Sequence, residues 1–299
     1  MPETAPNAAP MCVAADPRPL NPTFAVPAGG CDCHAHVFGS SSRLVPHRAY
    51  TPPDAGFDEY LHLLQILGLT RGVIVQPSVY GTDNRATLAA VEEGGPNFRA
   101  VVVVDEDIGS SELRKLHEQG ARGARANALF QSNARLNDLQ KLAHTLADVG
   151  WHLQLLVDVS NFEDLTQFVR KLPVPVVFDH FGHMPVQLGV NHPGFQAMLG
   201  LVSDGLAWVK LSGSYRITAQ DHPPYSDVAP FAQALIRANP DQLVWASDWP
   251  HPQISRSMPN DGPLLDMLAD WAPDKSLRSK ILITNPAHLY GFEVPGSLE

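Results

Sequence analysis

Cys31-Asp32-Cys33-His34-Ala35-His36-Val37-Phe38-Gly39 is the stretch whose reading decides the fold. It puts two histidines, one residue apart, at the end of a short apolar run that reads as a first β-strand. Side chains at i and i+2 of a strand leave the same face, about 6.6 Å apart along it. His34 and His36 can therefore converge on one ion or one substrate atom. By the same alternation Asp32 shares their face, while Cys31, Cys33 and Ala35 point the other way. The blander alternative is a polar turn behind a short strand. The rest of the chain has to separate the two.

Short apolar runs recur after it, at 72–78, 99–104, 121–127, 152–158, 174–180, 207–212 and 243–248, with 30–36 as the first. Val, Ile and Leu dominate several, as in strands covered on both faces. Helical spacing fills the gaps at 57–67, 112–119, 136–149, 162–172, 195–202, 226–238 and 263–271, with short helices at 277–282 and 286–290. Ser110 and Ser111 can cap the helix over 112–119, which Gly120 ends. Asn161 can cap the one over 162–172, which Pro173 stops. Strand and helix alternating eight times in about 270 residues predicts a single-domain α/β chain, a (β/α)₈ TIM barrel. A doubly wound open sheet is the alternative, but no glycine-rich fingerprint follows the first strand. Residues 1–28, rich in Pro and Ala, read as an N-terminal arm, and residues 29–299 as the barrel domain.

Composition narrows the function classes. Net charge is −10, from 21 basic and 31 acidic residues among 299, with no run of like charges. No basic face offers itself to nucleic acid. No basic leader precedes an apolar core, and no apolar run approaches ~18 residues, so neither a signal peptide nor a membrane span is expected and the protein reads as cytoplasmic. Cys12, Cys31 and Cys33 are too few for a disulfide framework. Cys31 and Cys33 read as small core residues.

In such a barrel the site gathers at the C-terminal ends of the strands. Those ends carry His34 and His36, then Ser78 and Tyr80, then Arg122, Arg125 and Asn127. Later ends carry Gln154, Asp179 with His180 and His183, Ser212 with Ser214 and Arg216, and Asp248 with His251. Arg125 and Asn127 share a strand face, which Arg122 joins only if the strand bulges. Singly each residue is unremarkable. Together they suit a pocket that holds an anion and moves a proton. Tyr50, Ser78 and Tyr80 could add hydrogen bonds to a ligand.

At this point motifs join up. Asp32-x-His34-x-His36, Asp179-His180, Ser247-Asp248-Trp249-Pro250-His251 and the closing Asn285-Pro286-Ala287 resemble the amidohydrolase superfamily. Residues 81–85, 120–127 and 225–231 are similar to its lactonase branch around 2-pyrone-4,6-dicarboxylate lactonase. The resemblance runs from about residue 30 to 291 and implies a (β/α)₈ barrel. It implies hydrolysis of a small anionic lactone: 2-pyrone-4,6-dicarboxylate, a muconolactone-type lactone or a sugar-acid lactone, in aromatic or sugar-acid catabolism. Asp248 would activate the water, and His34, His36 and His180 would polarise the carbonyl oxygen. Arg125 and Arg216 would hold substrate carboxylates, with Arg122, Asn127 and His251 as further substrate-binding candidates. Metal-dependent decarboxylase and sugar-lactone isomerase are alternatives in the same superfamily. A ligand-binding barrel without turnover is the non-enzymatic one.

Two-metal members of the superfamily add a carboxylated lysine or a glutamate on strand 4 and a histidine on strand 5. Here strand 4 offers arginine, and His152 opens strand 5 at the wrong end. The expectation is therefore no cofactor, or one divalent metal, zinc first, held by His34, His36, His180 and Asp248. Leu155 and Leu156 stand where the lactonase resemblance leads one to expect an aromatic residue. The segment after strand 7 is short.

Overall fold

The structure is a computed structural model and describes residues 9–39, 42–127 and 133–293. Expectations that fall on 1–8 of the arm and on 294–299 lie outside these residues. Eight parallel strands form one sheet in sequence order. They are β1 (Cys31–Ala35), β2 (Arg71–Val75), β3 (Phe98–Val102), β4 (Ala121–Asn127), β5 (His152–Leu156), β6 (Val176–Phe178), β7 (Ala207–Leu211) and β8 (Leu243–Trp245). The ring closes just past β8. Asp248 N donates to His34 O at 2.9 Å and His36 N to Trp249 O at 2.8 Å. Closure is thus made by the two stretches that carry the site, in a (β/α)₈ TIM barrel.

Helices run between and beyond the strands: α1 (Phe57–Leu67), α2 (Arg85–Gly94), α3 (Ser110–Glu118), α4 (Asn133–Ala147), α5 (Leu165–Arg170), α6 (Pro193–Ser203), α7 (Ser214–Ile217), α8 (Ala229–Ala238), α9 (Asp261–Trp271), α10 (Lys275–Ser279) and α11 (Asn285–Tyr290). The logic of α1 is typical. Phe57, Tyr60, Leu63, Leu64 and Leu67 recur at helical spacing and are its buried residues. Each such side chain contributes about 1.5–3 kcal/mol on leaving water. One core cluster fills the space between strands and helices. A second holds Cys31, Cys33, Val73, Val75, Val101, Val177, Trp208 and Val244 together with Tyr290 of α11 and Phe292. The C-terminal segment thus packs against strand side chains of the barrel interior.

That second cluster corrects the alternation inferred for β1. The pairing of β1 with β2 shifts register between Asp32 and Ala35. Cys31 and Cys33 therefore sit with the inward valines, and His34 and His36 still reach the site. Asp32 turns the other way. It accepts hydrogen bonds from Tyr60 Oη of α1 at 3.0 Å, and from Ser247 N at 2.9 Å and Ser247 Oγ at 2.5 Å. It is a buried strut between β1, α1 and β8, not a member of the pocket. The reading of Cys31 and Cys33 as free, buried residues agrees with the structure.

Helix ends moved more than helix positions. α3 begins at Ser110 behind Gly109 with no side-chain cap; Ser110 Oγ instead donates to Asp148 at 2.9 Å. α5 is shorter than expected and starts behind Asp164, while Asn161 belongs to a preceding 3₁₀ turn headed by Asp158. α2 and α7 carried no sequence expectation. In the arm, Leu20 N donates to Asn260 Oδ1 at 2.8 Å and Thr23 N to Asp266 Oδ1 at 2.7 Å, which ties it to the start of α9. Among the described residues, no helix is long and apolar enough to cross a membrane.

Candidate active site

The site is built from the ends of β1, β6, β7 and β8. Asp248 follows β8 at φ +66°, a left-handed conformation rare outside glycine. Its two carboxylate oxygens differ. Oδ2 accepts from Tyr215 Oη at 2.5 Å and from Arg216 Nε at 2.7 Å. Oδ1 is buried without a hydrogen-bond partner. It faces His180 Nε2 at 3.5 Å, His34 Nε2 at 3.8 Å and His36 Nε2 at 3.9 Å. Burial pushes the Asp248 carboxyl up, but Arg216 and the imidazoles outweigh it and hold it well below the usual carboxylate range.

Each histidine is fixed from behind. His36 Nδ1 lies 2.7 Å from Val75 O. A carbonyl only accepts, so Nδ1 carries the proton and Nε2 presents a lone pair to the site. A neutral His36 is thus suited to accept or to ligate, and does not donate to a carbonyl oxygen as the resemblance implied. His180 Nδ1 is 2.9 Å from Ser212 Oγ. His34 Nδ1 lies 3.2 Å from both Asp179 Oδ1 and Lys210 Nζ. Burial first, and the Lys210 ammonium second, pull His34 down to about 4. Burial likewise holds His36 and His180 well below the ordinary histidine value.

His180 opens an unusual segment. His180, Phe181, Gly182 and His183 have φ of 48°, 55°, 64° and 49°. This left-handed turn costs of order 1 kcal/mol for each non-glycine residue. It presents His180 and His183 together, ring centroids 5.3 Å apart. Gly213, at φ +60°, makes room opposite: a Cβ there would lie 2.9 Å from His180 Nδ1.

Around this centre stand the anion-binding candidates. Arg125 Nε pairs with Asp179 Oδ2 at 3.0 Å, and its charge reaches Tyr50 and His36. Tyr50 hydrogen-bonds Ser78, and burial raises it to about 12. Arg216 is largely occupied, with Nε on Asp248 and Nη2 on Pro252 O at 3.0 Å; it orients the carboxylate as much as it could grip a ligand. Tyr80 Oη accepts from Gly39 N at 3.1 Å and so steadies the loop after β1. Asn127 ends β4 at the surface.

Two candidates are not brought in. Arg122, near the start of β4, donates to His117 O and Ala121 O at 2.9 and 2.7 Å. It lies beside Gly291 at the end of the barrel opposite the site, and the register shift between β3 and β4 at its position does not carry it to the pocket. His251 is fully buried, with Nδ1 3.0 Å from Tyr215 Oη and Nε2 3.1 Å from Asp261 Oδ1. It backs Tyr215, which backs Asp248.

Tyr215 and Lys210 were given no role from sequence, and Gln154 and Asp179 none beyond their place at a strand end. Asp179 stood in the recognised motif beside His180. Lys210 had a signal too: a lysine inside β7, Ala207–Leu211, among apolar neighbours.

The donor set fits one divalent ion. Ligand atoms of His34, His36 and Asp248 lie within 4.8 Å of one another, as do those of His34, Asp179 and His180. The orphaned Asp248 Oδ1 and the Nε2 lone pair of His36 suit a cation.

A parallel barrel with a buried carboxylate and three imidazoles at the C-terminal strand ends defines a hydrolase-type barrel site. The chain matches the amidohydrolase family over residues 31–292, and it belongs to that family. It is 37% identical to 4-sulfomuconolactone hydrolase of Rhizobium radiobacter, over 94% of this chain and 96% of that one. It is 35% identical to 2-pyrone-4,6-dicarboxylate hydrolase of Comamonas testosteroni, over 91% and 93%. A crystal structure from Acinetobacter baumannii, described as a probable 2-pyrone-4,6-dicarboxylic acid hydrolase with citric acid bound, superposes with a TM-score of 0.78 at 29% identity, covering 88% of this chain and 100% of that one.

Proposed function

We propose that this chain hydrolyses a lactone bearing at least one anionic group, with Asp248 as the base. The observation that carries the reading is the asymmetry of that carboxylate: Oδ2 is clamped by Tyr215 and Arg216, while Oδ1 is buried, unpartnered and ringed by three imidazoles. A water held at Oδ1 adds its oxygen to the lactone carbonyl and passes its proton to Oδ1. The acyl C–O bond then breaks, and the same proton leaves on the departing ring oxygen. Charge that builds on the carbonyl oxygen is met by an Nε2–H of the cluster. Arg125, with Tyr50 and Ser78 beside it, receives the anionic substituent of the substrate. The names of the relatives support a lactone as the class, and the basic groups at the mouth support an anionic one.

If a divalent ion is bound, His34, His36 and Asp248, with His180 beside them, would hold it. It would acidify the water and polarise the carbonyl. The residues behind the cluster act identically in either case: Val75 O and Ser212 orient two of the rings, and Arg216 keeps the carboxylate ionised.

The test is turnover of 2-pyrone-4,6-dicarboxylate, a sulfonated and a carboxylated muconolactone, and a sugar-acid lactone, with an uncharged lactone as control. The product is read by mass. A gain of one water on an anionic substrate is expected. Unchanged mass would mean an isomerase, loss of CO₂ a decarboxylase, and binding without any product a non-catalytic barrel.

A further inference from the structure

We propose that Lys210 is a positioning residue that places the proton of His34 on Nε2, where it bridges to His36, and so weakens the hold of the histidine cluster on a divalent cation. The inference deepens the site reading above and concerns the same histidines.

Lys210 is fully buried in the barrel interior. An ammonium so placed has to spend its protons on acceptors. Nζ donates to Gln154 Oε1 at 2.7 Å and lies 3.2 Å from His34 Nδ1 and 3.5 Å from Asp179 Oδ1. An ammonium has no lone pair, so towards Lys210 the Nδ1 atom is the acceptor. A neutral His34 then carries its proton on Nε2.

The neighbouring ring gives an independent check. His36 must carry its proton on Nδ1, because that atom faces Val75 O. The two Nε2 atoms are 3.2 Å apart. One donor and one lone pair at that distance make a hydrogen bond from His34 to His36, whereas two lone pairs would repel. Assigned from different partners, the tautomers agree.

A cation needs the opposite arrangement at His34: a lone pair on Nε2 and the proton on Nδ1. An acceptor for that proton is in place, since Asp179 Oδ1 is 3.2 Å away, as near to Nδ1 as Lys210 Nζ is. Asp179 and Lys210 therefore compete for His34 Nδ1. The carboxylate favours the ligating tautomer, and the ammonium favours the donating one. Outer groups of this kind change metal affinity by about 10–100-fold. Lys210→Met keeps the apolar stem, removes the donor and leaves Asp179 unopposed.

The tautomers are read directly from imidazole nitrogen NMR spectra of the full chain, labelled with ¹⁵N and stripped of metal. A His34→Gln spectrum assigns the signal. The parent is expected to show His34 protonated at Nε2, and Lys210→Met to show it protonated at Nδ1. Zinc titration followed by metal counting is expected to give about 10–100-fold tighter binding in Lys210→Met. A parent spectrum with the proton on Nδ1 overturns the proposal, whatever Lys210→Met does to folding. So does a folded Lys210→Met chain with unchanged tautomer and zinc affinity. Neither readout involves turnover, so a chain that opened no lactone would leave this inference standing and defeat only the proposed function.

Discussion

Asp248 and Asp32 are both fully buried carboxylates within reach of β1, and their neighbours divide their work. Around Asp32 every polar neighbour donates: the Ser247 and His34 amides and the Tyr60 and Ser247 hydroxyls. An amide nitrogen there would face donors. Asp32→Asn is expected to cost about 1–3 kcal/mol of stability, read from a urea unfolding midpoint. Around Asp248 one oxygen is left open, which is what a base requires. Arg125 joins these residues from the side, tied to Asp179 through Nε. Arg125→Met is expected to raise KM for an anionic lactone by about 10–100-fold with a much smaller change in kcat. An equal fall in kcat and kcat/KM would place Arg125 in the transition state instead.

At the scale of elements, the loops after β6 and β7 do the positioning. Gly213 meets two demands, a left-handed φ of +60° and clearance for the His180 ring. Gly213→Ala is expected to cost about 1–2 kcal/mol and to lower kcat by displacing His180. A variant with parental kcat would show that the ring is held from elsewhere. Elements also mark what the sequence could show. All eight strands were legible, most of them because their apolar runs are buried on both faces, and β4 kept its bounds at Ala121–Asn127. α2 was not, since its buried residues, Thr87, Ala90 and Val91, are small and make a short stripe. The parity of β1 failed because a register shift leaves no trace in a single sequence. Asp248, His34, His36 and His180 were readable from motif and strand end. The roles of Lys210 and Tyr215 were not, because they depend on which side chains the closed barrel brings behind the histidines. Arg122 was misjudged because it opens β4, at the far end of the barrel from the site.

At the scale of the molecule, burial of so many imidazoles ties stability to pH. His34 is held at about 4 and His152 at about 3, both chiefly by burial. The unfolded chain takes up their protons near 6.5, before the folded one does. Stability from these groups is therefore present above about pH 6.5 and is lost as pH falls towards 4, by about 1.4 kcal/mol per pH unit for each histidine. Asp32, raised to about 6 by burial, works in the opposite sense between about 4 and 6. The histidines outnumber it, so the thermal midpoint is expected to fall steadily from pH 7 to pH 5. A flat profile over that range would mean that these rings are not held neutral in the fold.

The two ends of the barrel do different jobs. At one end the segment around Tyr290 and Phe292 seals the interior cluster. At the other, the hydrogen bonds between β1 and the turn after β8 that close the ring also set Asp248 against His34. The most direct measurement of the account is steady-state kinetics of Asp248→Asn on the anionic lactone the parent turns over best, with circular dichroism to confirm the fold. The predicted result is a loss of about 10²–10⁴-fold in kcat with KM changed little. Parental kcat in a folded Asp248→Asn chain would contradict it.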